Sequence, residues 1–225
     1  MSELLIKLWQ NGILQLGIWE TVYMTLISTF FAYLIGLPVG LILRMTDRDG
    51  IHPIGWLNRT LGIIVNALRS IPFIILMVAM LPVAKFVVGT SLGNRAVIVT
   101  LVIAAAPYVA RMVESAAKEV DAGVIEAAQS MGASTFRIIC KVIIPEAKPA
   151  LITGGVISTV TILGYSAMAG TIGGGGLGQI AITYGYQKYD DQIVWLCVAL
   201  TIIIVQILQE FGMYIARRTD RRAHS

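Results

Sequence analysis

The sequence predicts an all-α fold, a polytopic bundle of about five transmembrane helices that forms a single domain over residues 1–225. Three observations carry this prediction. Hydrophobic residues make up 56% of the chain and charged residues only 13%, about half of the share usual in a soluble domain. A soluble protein of this length cannot hide so much apolar surface, because much of any fold still faces water. Apolar runs of membrane-spanning length recur along the chain, with basic residues between them.

The first apolar run follows a short amphipathic segment, residues 4–10, which we expect to lie as a helix on the outer membrane surface. The first span, residues 21–43, carries no charged side chain and is long enough to cross the hydrocarbon core. Gly36, Pro38 and Gly40 lie within it. These residues weaken a helix in water, but in a membrane bundle neighbouring helices can satisfy the backbone groups that they free.

The second and third spans contain polar interruptions. The second, residues 60–84, is interrupted by Arg69, and Pro72 follows three residues later. The third, residues 95–113, holds only 15 uncharged residues between its two arginines, about 22 Å of helix against a hydrocarbon core of about 30 Å. It can cross the membrane if both arginine side chains reach outward or if partner helices shield them.

A polar-leaning stretch, residues 114–148, precedes the fourth span at 149–170, and a Gly- and Tyr-rich segment leads to the fifth at 192–216. Five spans place the two termini on opposite sides of the membrane. Basic residues are enriched on cytoplasmic loops, which predicts an outer N-terminus and a cytoplasmic C-terminus and makes 114–148 a cytoplasmic loop. The outer side then carries Lys7, Lys85, Arg95 and Lys188. The cytoplasmic side carries the other basic residues: Arg44, Arg48, Arg59, Arg69, Arg111, Lys118, Arg137, Lys141, Lys148, Arg217, Arg218, Arg221 and Arg222.

The cytoplasmic loop has the signals of two short helices. Asp121 is a suitable N-cap for the first, and Gly132 is well placed as the glycine that ends it. Ser134 can cap a second helix over 135–143, which Pro145 is expected to stop. Small side chains make part of the first helix slim, so it can enter a groove on another protein. The alternative from the residues alone is an ordinary loop hairpin without a partner.

The loop also carries a motif with fixed spacing. Glu126, Ala127 and Ala128 are followed after three residues by Gly132, and after nine more by Val-Ile-Ile-Pro ending at Pro145. This resembles the EAA loop of ABC importer permeases, from which it departs only by Val for Ile and Ile for Leu near its end. In that family the loop docks into a cleft of the cytoplasmic ATPase. The residues expected to couple to the ATPase are Glu126, Ala127, Ala128, Met131, Gly132 and Pro145.

Four further segments extend the resemblance over nearly the whole chain. Residues 69–75, 106–114, 164–170 and 173–180 are similar to the permease subunits of methionine importers. The resemblance implies methionine as the substrate. Permeases for polar amino acids share the coupling loop but usually differ around Arg69 and Tyr165, so a permease for another amino acid is the alternative.

The resemblance also implies an assembly in the inner membrane. The permease forms a homodimer with the transport path on its two-fold axis, and two ATPase subunits dock from the cytoplasm. A methionine-binding protein delivers substrate to the outer loops at 81–95 and 171–191. ATP and magnesium bind to the partner ATPase, and we expect this chain to bind no cofactor or metal.

The sequence disfavours several other functions. It contains no P-loop motif, so energy must come from a partner or from an ion gradient. An ion-coupled secondary transporter remains an alternative, but such transporters use ionisable groups near the membrane midplane, where this chain has almost none. Gly173, Gly175 and Gly178 match the glycine spacing of a dinucleotide-binding site. Such a site needs a β-strand before the glycines, whereas a transmembrane segment precedes them here, so nucleotide binding is not expected. No set of residues typical of a catalytic site occurs, so we do not expect an enzyme. The basic residues lie between the apolar spans, as membrane topology requires, and do not indicate nucleic-acid binding.

The candidate path residues lie late in the fourth span. Tyr165, Ser166 and Met168 stand among small residues, which favours either helix packing or a path lining where a thioether meets sulfur and an aromatic ring. Arg69 is either a helix-end anchor or the partner of a carboxylate or carbonyl inside the bundle. His52 and His224 have no neighbours at ligand spacing and are expected to face solvent, and both cysteines, Cys140 and Cys197, are expected to be small buried side chains.

Overall fold

A computed structural model describes residues 3–219, and their regular secondary structure is helical throughout. His224 and the arginines at 221 and 222 lie outside the described residues. The helices are α1 (Glu3–Gln10), α2 (Ile13–Thr46), α3 (Gly55–Ser70), α4 (Phe73–Ala79), α5 (Leu81–Val88), α6 (Asn94–Lys118), α7 (Ala122–Ser130), α8 (Thr135–Ile138), α9 (Ile144–Ala169), α10 (Leu177–Ile180) and α11 (Asp191–Thr219). A π-helical stretch, Ile139–Ile143, joins α8 to α9, and shorter 3-10 and π-helical segments join α9, α10 and α11.

Four continuous helices in the described part of the chain are long and apolar enough to cross a membrane: α2, α6, α11 and the helix that runs from Thr135 to Ile172. The bent pair α3–α4 supplies a fifth candidate. The all-α, polytopic fold is therefore as predicted. α1 forms where an amphipathic helix is expected, and Gly12, with φ +73°, separates it from α2. α2 starts at Ile13, ahead of the predicted span, because residues 13–20 are mostly apolar and Glu20 is their only charged residue.

The segment predicted as the second span is not one continuous helix. α3 ends at Ser70, α4 begins at Phe73, and the two axes differ by 106°. Pro72 explains the break, because proline has no backbone N–H to donate and disfavours a helical conformation in the residue before it. Ile71 is accordingly extended (φ −79°, ψ 128°), and the carbonyl of Pro72 begins the hydrogen bonding of α4.

The second short helix predicted for the loop at residues 114–148 is not a separate element. It continues through the π-helical stretch into α9, so Pro145 lies in the first turn of α9 and does not stop the helix. The wider turns of a π-helical stretch accommodate a local change in hydrogen bonding of the kind that proline requires. The loop also begins later than predicted, since α6 continues to Lys118 and only three residues connect it to α7.

α6 is the central helix and packs against α2, α3, α4, α5 and α9. Its closest partner is α2, because Gly36 and Gly40 remove side chains from the contact. A Cβ atom at Gly36 would lie 2.7 Å from Val109, and one at Gly40 would meet the carbonyl oxygen of Ala110. Small residues allow this close approach between membrane helices.

Candidate functional site

α7 is a short helix with a defined beginning and end. The Asp121 carboxylate caps it by accepting hydrogen bonds from the backbone N–H groups of Gly123 (2.7 Å) and Val124 (3.3 Å). At the other end Gly132 adopts φ +75°, and Ala133 donates its N–H to the carbonyl of Ala128 at 3.1 Å. This is the glycine-dependent helix ending that the sequence predicts. Both ends of α7 are therefore fixed by its own sequence.

The two sides of α7 differ in exposure. Ile125 and Ala128 are 7% and 5% exposed and belong to the hydrophobic core. Val124, Ala127 and Met131 recur at helical spacing on the other side, and the Met131 side chain is 81% exposed. Together with Phe136, 76% exposed at the start of α8, they form an apolar surface that we call the α7 face.

The remaining predicted coupling residues lie around this surface. Glu126 is exposed, and no cation of the described residues pairs with its carboxylate. Gly132 forms the turn between α7 and α8. Pro145 is exposed in the first turn of α9, beyond the π-helical stretch. The motif thus runs from α7, which carries its Glu-Ala-Ala part, through α8 and the π-helical stretch into α9.

The loop between α2 and α3 is attached to this region. His52 is exposed as predicted, but its Nε2 atom lies 2.6 Å from the Thr135 hydroxyl, at the first residue of α8. The Arg44 guanidinium donates a hydrogen bond to the carbonyl of Asp49 within the same loop, at 3.0 Å. A cavity of about 350 Å³ separates the loop from α7, and both Arg44 and Glu126 line it.

A cluster of charged side chains next to α7 was missed by sequence reasoning. Glu114 is 6% exposed and lies between two cations of α6, Arg111 at 2.6 Å and Lys118 at 2.9 Å. Lys118 also contacts Asp47 at the end of α2, at 2.8 Å. Its ammonium group, which hydrogen-bonds the carboxylate, holds the pKa of Asp47 below its usual value. The pair is therefore formed at neutral pH, and on the acid side it is lost when Asp47 is protonated.

α3 is joined to α6 at two points. The Arg111 guanidinium donates hydrogen bonds to the Gly62 carbonyl (3.2 Å) and to the Asn66 side-chain oxygen (3.0 Å). Near the end of α3, Arg69 is exposed and its guanidinium carbon lies 5.9 Å from the centre of the Tyr108 ring, within the range of a cation–π interaction. Among the described residues Arg69 has no carboxylate partner, so its contact is with an aromatic face.

The candidate path residues on α9 do not all face the same way. Tyr165 stacks on Phe73 of α4, with ring centres 4.3 Å apart and planes 5° apart. Met168 is 49% exposed. Ser166 is 2% exposed, and its hydroxyl donates to the Leu163 carbonyl of its own helix at 2.7 Å. The structure therefore places Tyr165 and Met168 at or near a surface and Ser166 inside the bundle.

The glycine run between α9 and α10 follows a helical segment, so the pattern at Gly173, Gly175 and Gly178 lacks the preceding strand of a dinucleotide site. Within residues 3–219 no group of three or more His, Cys, Asp or Glu side chains is arranged to hold a metal ion. Cys197 is buried and Cys140 partly buried, and both are free thiols.

The family model for the binding-protein-dependent transport system inner membrane component matches residues 36–223. The chain belongs to this family. It is accordingly a multi-pass inner-membrane transport component and not an enzyme, as predicted, and the family expected from the EAA loop is confirmed.

Individual relatives match at full length. The chain is 48% identical over 212 residues to the probable D-methionine transport system permease protein MetI of Vibrio cholerae, covering 94% of each chain. It is 43% identical over 211 residues to the protein of the same name from Haemophilus influenzae, covering 94% of this chain and 99% of that one. Both relatives therefore align with nearly the whole chain.

Solved structures give the same picture. A chain from a crystal structure of the MetNI methionine ABC transporter in an inward-facing conformation has a TM-score of 0.93 and 46% identity, and the match covers 98% of this chain and 100% of that one. A chain from an amino acid ABC transporter with histidines has a TM-score of 0.78 at 19% identity, covering 97% and 99%. The second likeness shows a shared fold only.

Proposed function

We propose that the chain is the permease subunit of an ATP-driven importer and forms the path by which methionine crosses the inner membrane. The observation that carries this proposal is the identity of 46–48% with methionine permeases over at least 94% of the chain. The match includes the segments around Arg69 and Tyr165, where permeases for other amino acids are expected to differ.

The α7 face is the proposed docking surface for the ATPase. Three large apolar side chains are exposed there: Val124 of α7 (46%), Met131 directly after α7 (81%) and Phe136 of α8 (76%), and the other side of α7 is buried. Moving such groups from water into a protein cleft is favourable by about 1.5–3 kcal/mol for each side chain. Glu126, exposed on the same helix, is free to pair with a cation of the ATPase. The helix would transmit movement and perform no chemistry.

The proposed assembly contains two copies of the chain and two ATPase subunits, with a methionine-binding protein on the outer side. A chain with about five spans is too small to enclose a path alone, and closed two-fold dimers are the commonest oligomers. α11 supports this, because only 11% of the residues in its most apolar stretch are buried within one chain. Lipid and a second copy can cover the rest. The N-terminus would be outside and the C-terminus cytoplasmic, as the distribution of basic residues indicates.

The proposed path runs beside α9. Met168 is half-exposed and Tyr165 is stacked on Phe73, so a thioether substrate would meet a sulfur atom and the edge of an aromatic pair. Arg69, exposed beside Tyr108, supplies a positive charge near the break between α3 and α4, where Phe73 begins α4. Ser166 would support the path from behind, since its hydroxyl is engaged within α9.

The proposed cycle is alternating access. The partner ATPase binds ATP and magnesium, and closure of its dimer brings the two α7 helices together. The bundle then opens outward, receives methionine and reopens inward after hydrolysis. The chain itself has no P-loop, so it relies on that partner for energy.

Reconstitution into liposomes tests the substrate and the energy source together. We expect methionine uptake only when the ATPase, the binding protein and ATP are all present, and no uptake from a proton or sodium gradient alone. Unlabelled methionine should compete, whereas histidine and arginine should not. Uptake by this chain alone in an ion gradient would overturn the importer proposal in favour of a secondary transporter, and preferred competition by another amino acid would overturn methionine as substrate.

A further inference from the structure

The end of the molecule opposite α7 holds a closed set of hydrogen bonds that links three parts of the chain. One carboxylate oxygen of Glu20, on α2, accepts a hydrogen bond from the side-chain N–H of Asn94 at 2.7 Å. The other accepts from the backbone N–H of Gly176 at 2.8 Å. The side-chain oxygen of Asn94, the first residue of α6, accepts from the backbone N–H of Gly175 at 2.8 Å. We call these residues the Glu20 clasp.

The clasp determines the shape of the glycine loop, residues 173–176. A Cβ atom at Gly175 would collide with the Glu20 carboxylate, and Gly176 adopts φ +89°, which favours glycine. Thr21 adds a further bond, since its hydroxyl oxygen accepts from the backbone N–H of Leu177 at 2.9 Å. The loop backbone is thus held by side chains of α2 and α6, and any side chain on these glycines would disturb it.

The glycine loop is in turn attached to the end of α9. Gly174 donates its N–H to the carbonyl of Ala169 at 3.1 Å, and a Cβ atom at Gly170 would collide with the backbone N of Gln179 in α10. Met168 immediately precedes Ala169. The clasp therefore ties the end of α9 that carries Met168 to α2 and α6.

The opposite ends of α2 and α6 are tied together beside α7. Lys118 of α6 binds Asp47, which lies 27 positions after Glu20, about 40 Å along a helix. Between the two ends, Gly36 and Gly40 let the helices pack in direct contact. α7 starts four residues after Lys118. α2 and α6 thus form one unit that is connected to α7 at one end and to the glycine loop at the other.

We propose that Glu20 is a positioning residue for transport, which holds the glycine loop and the end of α9 to the α2–α6 unit so that movement of α7 reaches the opposite end of the path. This rests on the proposed function. The carboxylate touches no substrate in this role. Its task is to keep the loop fixed to the unit while that unit moves.

The hydrogen-bond pattern allows a test by exchange of donors and acceptors. E20Q keeps the shape of the side chain but brings a second side-chain amide into the clasp, so one N–H group loses its acceptor. N94D places two carboxylates against each other. In E20Q/N94D the introduced amide donates to the introduced carboxylate, whose other oxygen accepts from Gly175, and the amide oxygen accepts from Gly176. The double variant therefore restores every bond with the same net charge.

The assay uses the complete transporter in liposomes and measures methionine taken up for each ATP hydrolysed. Spin labels at Thr171, an exposed residue beside the loop, report the distance between the two copies with and without ATP. We expect E20Q to assemble with the ATPase and hydrolyse ATP, but to lose on the order of tenfold in uptake per ATP, the factor expected for the loss of one hydrogen bond to a charged group. Its ATP-dependent distance change should also shrink. N94D should behave likewise, and E20Q/N94D should recover both readouts.

The control is E210Q, which removes the charge of an exposed glutamate on α11 and should leave both readouts unchanged. Wild-type coupling in E20Q, or a double variant no better than the single ones, would overturn the role of Glu20. Failure of E20Q to assemble would overturn it too, because Glu20 would then be needed for folding and not for transmission. If the unaltered chain shows no ATP-driven uptake, it is the proposed function that fails.

Discussion

Met131 gives the sharpest prediction for the α7 face. Its side chain, directly after the last residue of α7, is 81% exposed, so M131A removes almost no contact within the chain and should change the stability of the isolated permease by less than about 0.5 kcal/mol. If the side chain is buried in a cleft of the ATPase, the same substitution should cost about 2 kcal/mol of binding. That corresponds to roughly a thirtyfold weaker affinity at each docking site.

The assay is titration of labelled ATPase onto the permease in lipid nanodiscs, together with thermal unfolding of the permease alone. L92A serves as the matched control, because Leu92 is also an exposed apolar side chain, at 64%, but lies next to the Glu20 clasp at the far end of the molecule. It should bind ATPase like the unaltered chain. Unchanged affinity in M131A, or a loss of stability that accounts for any change, would refute the reasoning.

Three other substitutions test the supports of the site. G40A should destabilise the permease by about 1–3 kcal/mol, as overpacking does, because a methyl group there meets the Ala110 carbonyl. G55A is the control, since a methyl group at Gly55 meets no other atom. Equal melting curves for the two variants would contradict the prediction. D121A should cost about 1 kcal/mol as a lost N-cap and raise hydrogen exchange in α7 alone, whereas protection like the wild type would exclude a capping role. E114Q should lower the thermal stability by about 1–2 kcal/mol by weakening its two ion pairs, and an unchanged melting temperature would show that the cluster is not structural.

The helices and the EAA loop could be predicted from local sequence. Apolar runs indicate the spans because lipid requires them. The ends of α7 follow from Asp121 and Gly132, residues whose side chain or missing side chain satisfies the helix termini directly. The motif containing Glu126 has fixed spacing within one loop. These features depend on residues that are close together in the chain, so the sequence alone reveals them.

The break at Pro72 could not be predicted with the same certainty. Pro38 and Pro107 lie inside continuous helices of the same protein, whereas Pro72 separates two helices at 106°. Each proline frees backbone groups, and whether the helix continues depends on what neighbouring elements offer to those groups. That information lies in the packing and not in the apolar run around the proline.

The polar clusters were missed for a related reason. Glu20 bonds to Asn94 and to Gly176, which are 74 and 156 residues away, so no local pattern shows the pairing. Glu114 has cations at helical spacing on its own helix, which is a visible signal, but its link through Lys118 to Asp47 spans two helices. The burial of Ser166 also depends on the orientation of α9, since small residues occur on both of its sides.

ATP-driven methionine uptake in E126K tests the central claim most directly. The unaltered permease, reconstituted with the ATPase and the binding protein, should accumulate labelled methionine only while ATP is hydrolysed. E126K reverses a charge on the α7 helix and should abolish uptake and weaken ATPase binding, while E210K, at an exposed site on α11, should retain both. Equal uptake by E126K and the unaltered chain would contradict coupling through α7, and uptake without any ATPase would contradict the importer itself.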